Sequence, residues 1–135
     1  MSATYKNFHE GNMYLQDGIL HIKYHPNTVI DENLLYKQFM FRKQLAQEKD
    51  LFFIIDLRND INVTDEAITF VASHPCPDHI KAIALITNSG VDYVRGKLYS
   101  IFDNPNVNTK VFLSEEEARL WFNSLEANDF IGTAC

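Results

Sequence analysis

Only two cysteines, Cys76 and Cys135, occur in 135 residues, too few for a disulfide framework. A chain of this length buries roughly two-thirds of its unfolded surface and needs neither cross-links nor a structural metal to fold. No apolar run approaches the ~18 residues of a membrane span. The start, MSATYKNFHE, lacks the basic-then-apolar pattern of a secretory signal. Cys135 is the last residue, not the fourth from the end, so no prenylation signal is present. Positive charge is also scarce: 12 Lys and Arg face 18 Asp and Glu, a net charge of −6. The whole excess lies in residues 51–135, which hold six basic and twelve acidic side chains. So acidic a chain lacks the electrostatic footprint of a nucleic-acid binder, and anionic membrane surfaces repel it. The expectation is a cytoplasmic protein forming one domain over 1–135, with a core at about 13–126 and mobile ends. In that compartment the sequon Asn62-Val63-Thr64 goes unused.

Catalytic signatures are equally thin. There is no G-x-S-x-G elbow. Gly90 and Gly96-Lys97 resemble a phosphate loop, but five residues separate the glycines. Leu98 also stands where a magnesium-binding Ser or Thr is required. Asp65 and Glu66 are adjacent on a helix and point apart, so they are not an acid–base pair. The run His74-Pro75-Cys76-Pro77-Asp78-His79 is rich in metal-ligand types. A second ligand pair is missing unless His21 or His25 supplies it in space, and the two prolines equally suit a rigid connection. The sequence therefore reads as a non-enzyme with no metal and no cofactor.

What is present is an ordinary globular composition, 46% hydrophobic and 22% charged, in a regular alternation of elements. Asp17-Gly18 separates alternating runs at 13–16 and 19–24, a strong hairpin signal. In the second run Leu20, Ile22 and Tyr24 share one face, and Ile19, His21 and Lys23 share a more polar one. That pattern predicts an edge strand or a partly exposed sheet face. Asp31 caps a helix reaching to about residue 49, whose consecutive Phe39, Met40 and Phe41 cannot all face one sheet. A homodimer is therefore expected. LFFIIDL at 51–57 and IKAIALIT at 80–87 read as strands covered on both faces.

Thr64 caps a second helix with Asp65 and Glu66 in its first turn, and that helix ends before Pro75. Val91, Val94, Leu98 and Ile101 predict a third helix. Residues 109–113 form a last strand, and Ser114 with Glu117 makes a capping box. Ala118, Trp121, Phe122 and Leu125 stripe a final helix, with Trp121 expected as its core anchor. The order β-β-α-β-α-β-α-β-α implies an α/β fold with a mostly parallel, mixed sheet. An antiparallel hairpin opens it and helical crossovers join its strands.

In open parallel sheets, ligands collect outside the carboxyl ends of the strands. Those ends supply Asp56, Arg58 and Asn59, then Thr64 and Asp65, then Asn88, Ser89 and Gly90. Free N–H groups of helix starts there would suit an anion, although turns and caps use the same residue types for their own geometry.

Three stretches, FFIIDLRNDINVTDEAITFV, IKAIALITNS and NPNVNTKVFLSEEEARLWF, resemble the STAS superfamily, whose fold is that of the anti-sigma factor antagonist SpoIIAA. The resemblance runs from about residue 14 to 125. The last stretch is especially similar to uncharacterised bacterial proteins grouped as STAS/SEC14-like. The resemblance implies a bacterial, non-enzymatic regulatory or interaction module meeting an unknown protein partner. SEC14-like relatives imply the alternative, a carrier or sensor of an apolar or nucleotide small ligand. The antagonists carry a phosphorylated Ser in an Asp-Ser-Ser-Gly motif after the central strand. The matching residues here are Thr64-Asp65-Glu66-Ala67, so the serine switch is absent and Asp65 stands in the phosphoserine place.

Overall fold

A computed structural model describes residues 5–47, 49–72, 80–88 and 109–127. Strands β1 (Tyr5–Phe8), β2 (Gly11–Gln16), β3 (Ile19–Tyr24), β5 (Leu51–Asp56), β7 (Ile80–Ile86) and β8 (Thr109–Phe112) form one sheet, ordered β1-β2-β3-β5-β7-β8. β1, β2 and β3 pair antiparallel, and β3, β5, β7 and β8 pair parallel. The described helices are α1 (Glu32–Ala46), α2 (Asp65–Ala72) and α3 (Glu115–Ala127). The expected mixed α/β fold is what forms. The helix expected at 91–102 and the His74–His79 run lie outside the described residues.

The hairpin turns where Asp17 and Gly18 both adopt positive φ, 55° and 78°, the backbone this short connection requires. Gly11 is fixed by proximity instead: a Cβ there would lie 2.0 Å from the Lys23 carbonyl oxygen. The hairpin is not the edge of the sheet. β1, whose four residues carry no marked alternation of apolar and polar types, adds an outer strand, and β3 lies between β2 and β5. His21 is therefore 1% exposed, not half in water as the polar face of β3 predicts.

The two faces of the sheet carry separate cores. Leu20, Ile22, Leu51, Phe53, Ile83 and Leu85 pack with Leu34 of α1 and Ala67 of α2. Ile19, Phe52, Ile54, Ala82, Ala84 and Ile86 pack with Ala118 and Phe122 of α3. α1 begins where Asp31 Oδ1 accepts the Leu34 N–H at 2.8 Å. It stops at Gln47, in the left-handed region at φ 49°, two residues short of the sequence expectation. Gln38 is buried on its inner face beside the buried hydroxyl of Tyr24. Of the three consecutive apolar residues, Phe41 packs on Phe8 with ring centroids 5.7 Å apart, while Phe39 and Met40 are exposed.

A second, two-stranded parallel sheet pairs β4 (Val29–Ile30) with β6 (Asn62–Val63). It joins the connection that precedes α1 to the one that precedes α2, so the two helix starts emerge side by side. Two residues per strand give no periodicity to read in the sequence.

On α3 the expected stripe faces the sheet, but Phe122, not Trp121, is the deep anchor. Phe122 is 2% exposed and stacks on Phe52 with centroids 4.3 Å apart. Trp121 is half-buried at the rim against Phe112. Phe122→Ala should cost about 3–5 kcal/mol, in the range for a fully buried aromatic, and Trp121→Ala clearly less. Denaturant midpoints of the two variants check the order; a larger loss for Trp121→Ala would reverse the packing assignment.

Candidate functional site

The carboxyl edge of the sheet holds two separate groups of polar residues, one on each face. β5 ends in Asp56, which shares its face with Phe52 and Ile54 and so points toward α3. Arg58 folds back onto it. Its Nε donates to Asp56 Oδ1 at 2.9 Å, its Nη2 to Oδ2 at 2.8 Å, and its backbone N–H to Oδ1 at 3.0 Å. Burial alone would raise the Asp56 pKa. The Arg58 hydrogen bonds, with the charges of Arg58 and Lys23, outweigh burial and hold the carboxyl below its ordinary range.

Lys23 lies opposite Asp56 on the neighbouring strand, and its Nζ is 3.6 Å from Glu115 Oε1 in the first turn of α3. One layer below, His21 stacks on Tyr14, centroids 4.5 Å apart and planes 5° apart. Arg119 Nη2 lies 3.4 Å from His21 Nε2. A guanidinium can only donate, so Nε2 accepts and the imidazole proton sits on Nδ1, which has no partner among the described residues. Burial lowers the His21 pKa first; Glu115 opposes this, while Arg119 and Lys23 add to it.

The second group lies over the α1 and α2 face. Asn59 and Asp60 both take positive φ, 71° and 60°, as short polar side chains at a tight turn do. The Asn59 carbonyl accepts the Asn27 N–H at 2.9 Å. Thr64 caps α2, its Oγ1 accepting the Ala67 N–H at 3.1 Å, and its own N–H donates to the Ile30 carbonyl at 3.0 Å. Asp65 is exposed in the first turn.

Of the residues selected from the sequence, then, Asn59, Thr64 and Asp65 share one connection, and Asp56 and Arg58 form a closed pair directed to the opposite face. Asn88 is exposed just past β7, and Ser89 lies outside the described residues. The sequence reading did not select Lys23, Glu115 or Arg119, and it named His21 only as a possible metal ligand. Only the alternation that put His21 and Lys23 on one face pointed there, and the meeting with α3 is tertiary. It also did not select Asp31, which the β4–β6 pairing sets beside Thr64. Among the described residues no group of three or more His, Cys, Asp or Glu is arranged to hold a metal, and no helix is long and apolar enough to cross a membrane.

A family model, domain of unknown function DUF7793, matches residues 13–126. The chain belongs to the DUF7793 family. This DUF7793 protein is similar in structure to a crystal structure from Shewanella loihica PV-4, an uncharacterised protein of the DUF3478 family with a SpoIIAA-like fold. The TM-score is 0.54 at 16% identity, over 90% of this chain and 98% of that one. The DUF7793 chain therefore has a SpoIIAA-like fold, as the sequence resemblance implies. No curated protein matches it.

The His21 environment sets a pH dependence for this DUF7793 protein. With its pKa below the ordinary value of about 6.5, folded His21 binds fewer protons than unfolded His21 between those two values. Stability is therefore full above about pH 6.5 and falls as the pH drops through that window. His21→Phe keeps the stack on Tyr14 and removes both the titration and the Nδ1–H. It should flatten the stability–pH curve below about pH 6.5, with only a small loss at neutral pH from the missing Arg119 acceptor. Urea unfolding at a series of pH values measures this, and an unchanged slope in the variant would assign the dependence elsewhere. Asp56 acts lower, its contribution being lost as the pH falls below the ordinary carboxylate range.

Proposed function

We propose that this protein is a non-enzymatic interaction module of STAS type. In this reading its contact surface is the turn at 59–63 with the helix start at 64–67, joined by the start of α1. One observation carries it. The β4–β6 pairing sets two capped helix starts side by side, and the two connections it joins carry exposed Asp31, Glu32, Asp60, Asp65 and Glu66 together with Val29, which is 52% exposed. The connections at 25–32 and 57–66 contain a single Lys or Arg, Arg58, and it is engaged by Asp56. Each cap takes one helix N–H, that of Leu34 in α1 and that of Ala67 in α2, and the carboxylates of Glu32, Asp65 and Glu66 in the first turns repel an anion there. The surface thus presents carboxylates with an exposed apolar residue among them, which suits a protein partner with a basic face.

Asp65 occupies the place of the switch serine and supplies a permanent charge there. Thr64 is the one hydroxyl in the first turn, and its oxygen already accepts a helix N–H. Protein purified from native cells should therefore carry no phosphate at 64–67. The core at 13–126 acts as one unit in this proposal, and the compartment is the cytoplasm.

A second reading, a small-ligand carrier, is favoured by Thr87. Its hydroxyl is buried without a partner among the described residues at the carboxyl end of β7, the edge where open sheets hold ligands.

The test captures a partner from native extract and measures its affinity for wild type and Asp65→Ser at low and high salt. Asp65→Ser should cost the helix only ~0.3–1 kcal/mol. It should weaken partner binding several-fold at low salt, mainly through the association rate, with the difference shrinking at high salt. Equal affinities at both salt concentrations would remove this surface as the contact and favour the ligand reading.

A further inference from the structure

The outer face of α1 is the largest unexplained feature among the described residues. Tyr36 is 60% exposed, Met40 44% and Phe39 40%. They are spaced to form one stripe, continued by exposed Glu32 at one end and by exposed Lys43 and Gln47 at the other. Lys43 is held on this face, its Nζ 5.1 Å from the centre of the Phe39 ring. The surface shares only Glu32 with the helix-start contact proposed above and does not depend on that reading.

We propose that α1 is a homotypic interface: a second copy of the chain docks its own α1 antiparallel on this stripe. The stripe is self-complementary in that direction only. An antiparallel pair centred between residues 39 and 40 sets Phe39 against Met40 of the second copy, an aromatic–thioether contact. It sets Tyr36 against Lys43 of the second copy, a cation–aromatic contact. Glu32 then lies about 6 Å along the axis from the level of that Lys43, at 1.5 Å per residue, within reach of two long side chains. A parallel pair would instead set Lys43 against Lys43 and Glu32 against Glu32, like charges facing each other. Three apolar side chains do not bury the ~1,200 Å² of a stable interface. The dimer is therefore concentration-dependent, with a dissociation constant between micromolar and millimolar.

Sedimentation equilibrium of the full chain up to millimolar concentration tests this. The wild type should show a monomer–dimer equilibrium, and Phe39→Glu should weaken it about tenfold or more, as loss of a central contact does. The variant's melting curve should match that of the wild type, because Phe39 is exposed. Lys43→Glu should also weaken the dimer, and adding Glu32→Lys should restore it. In a Cys76→Ser, Cys135→Ser background, Met40→Cys should oxidise to a disulfide dimer and Glu32→Cys should not. A chain monomeric at every concentration, or a dimer indifferent to Phe39→Glu, overturns the proposal and leaves the stripe to a different protein. Ready cross-linking of Glu32→Cys to itself overturns the antiparallel arrangement.

Discussion

Leu51 and Phe53 on one face of β5, and Phe52 and Ile54 on the other, are all buried, so neither face of this strand can meet water. Each such side chain contributes roughly 1.5–3 kcal/mol when fully covered, and that gain requires helices on both sides of the sheet. α1 and α2 close one face, and α3 closes the other through the stack of Phe122 on Phe52. Parallel pairing of β5 with β3 and β7 follows, because strands covered on both faces are joined by helical crossovers.

Such a sheet brings every crossover out at the same edge, and the chemistry of that edge is largely internal. Asp56 leaves the strand buried and is neutralised by Arg58. Lys23 meets Glu115, and the helix starts are closed by Asp31, Thr64 and Ser114. Each cap takes one helix N–H, and Glu32, Asp65 and Glu66 in the first turns of α1 and α2 disfavour an anion there. The exposed side chains of the connections that β4 and β6 join are mostly carboxylates, with Val29 among them, an arrangement better matched to a protein surface than to a small anion.

Much of this was legible in the sequence, and the reasons for success and failure differ by residue. Asp17-Gly18, the unbroken apolar runs at 51–57 and 80–87, and the caps Asp31, Thr64 and Ser114 act locally, so local reading located them. β1 was not legible because its four residues show no clear alternation, and β4 and β6 are too short to show any. The burial of His21 was hidden for a related reason: β5 pairs along the open side of β3, and α3 with Arg119 and Glu115 covers its polar face, both tertiary events. For the candidate site, the residue types at 56–65 could be read directly. That Arg58 turns inward to Asp56 while Asp65 stays outward depends on which face each residue's element covers, and no spacing rule carries that.

The account rests on the paired helix starts being the place where a partner meets the chain. Amide chemical-shift mapping of labelled protein titrated with its captured partner tests this most directly. The account predicts perturbations concentrated at Val29, Asp31, Glu32, Asn59, Asp60, Asp65 and Glu66, with β1 and the last turns of α3 unaffected. Perturbations confined to the α3 side of the sheet, around Asp56, His21 and Arg119, would contradict it.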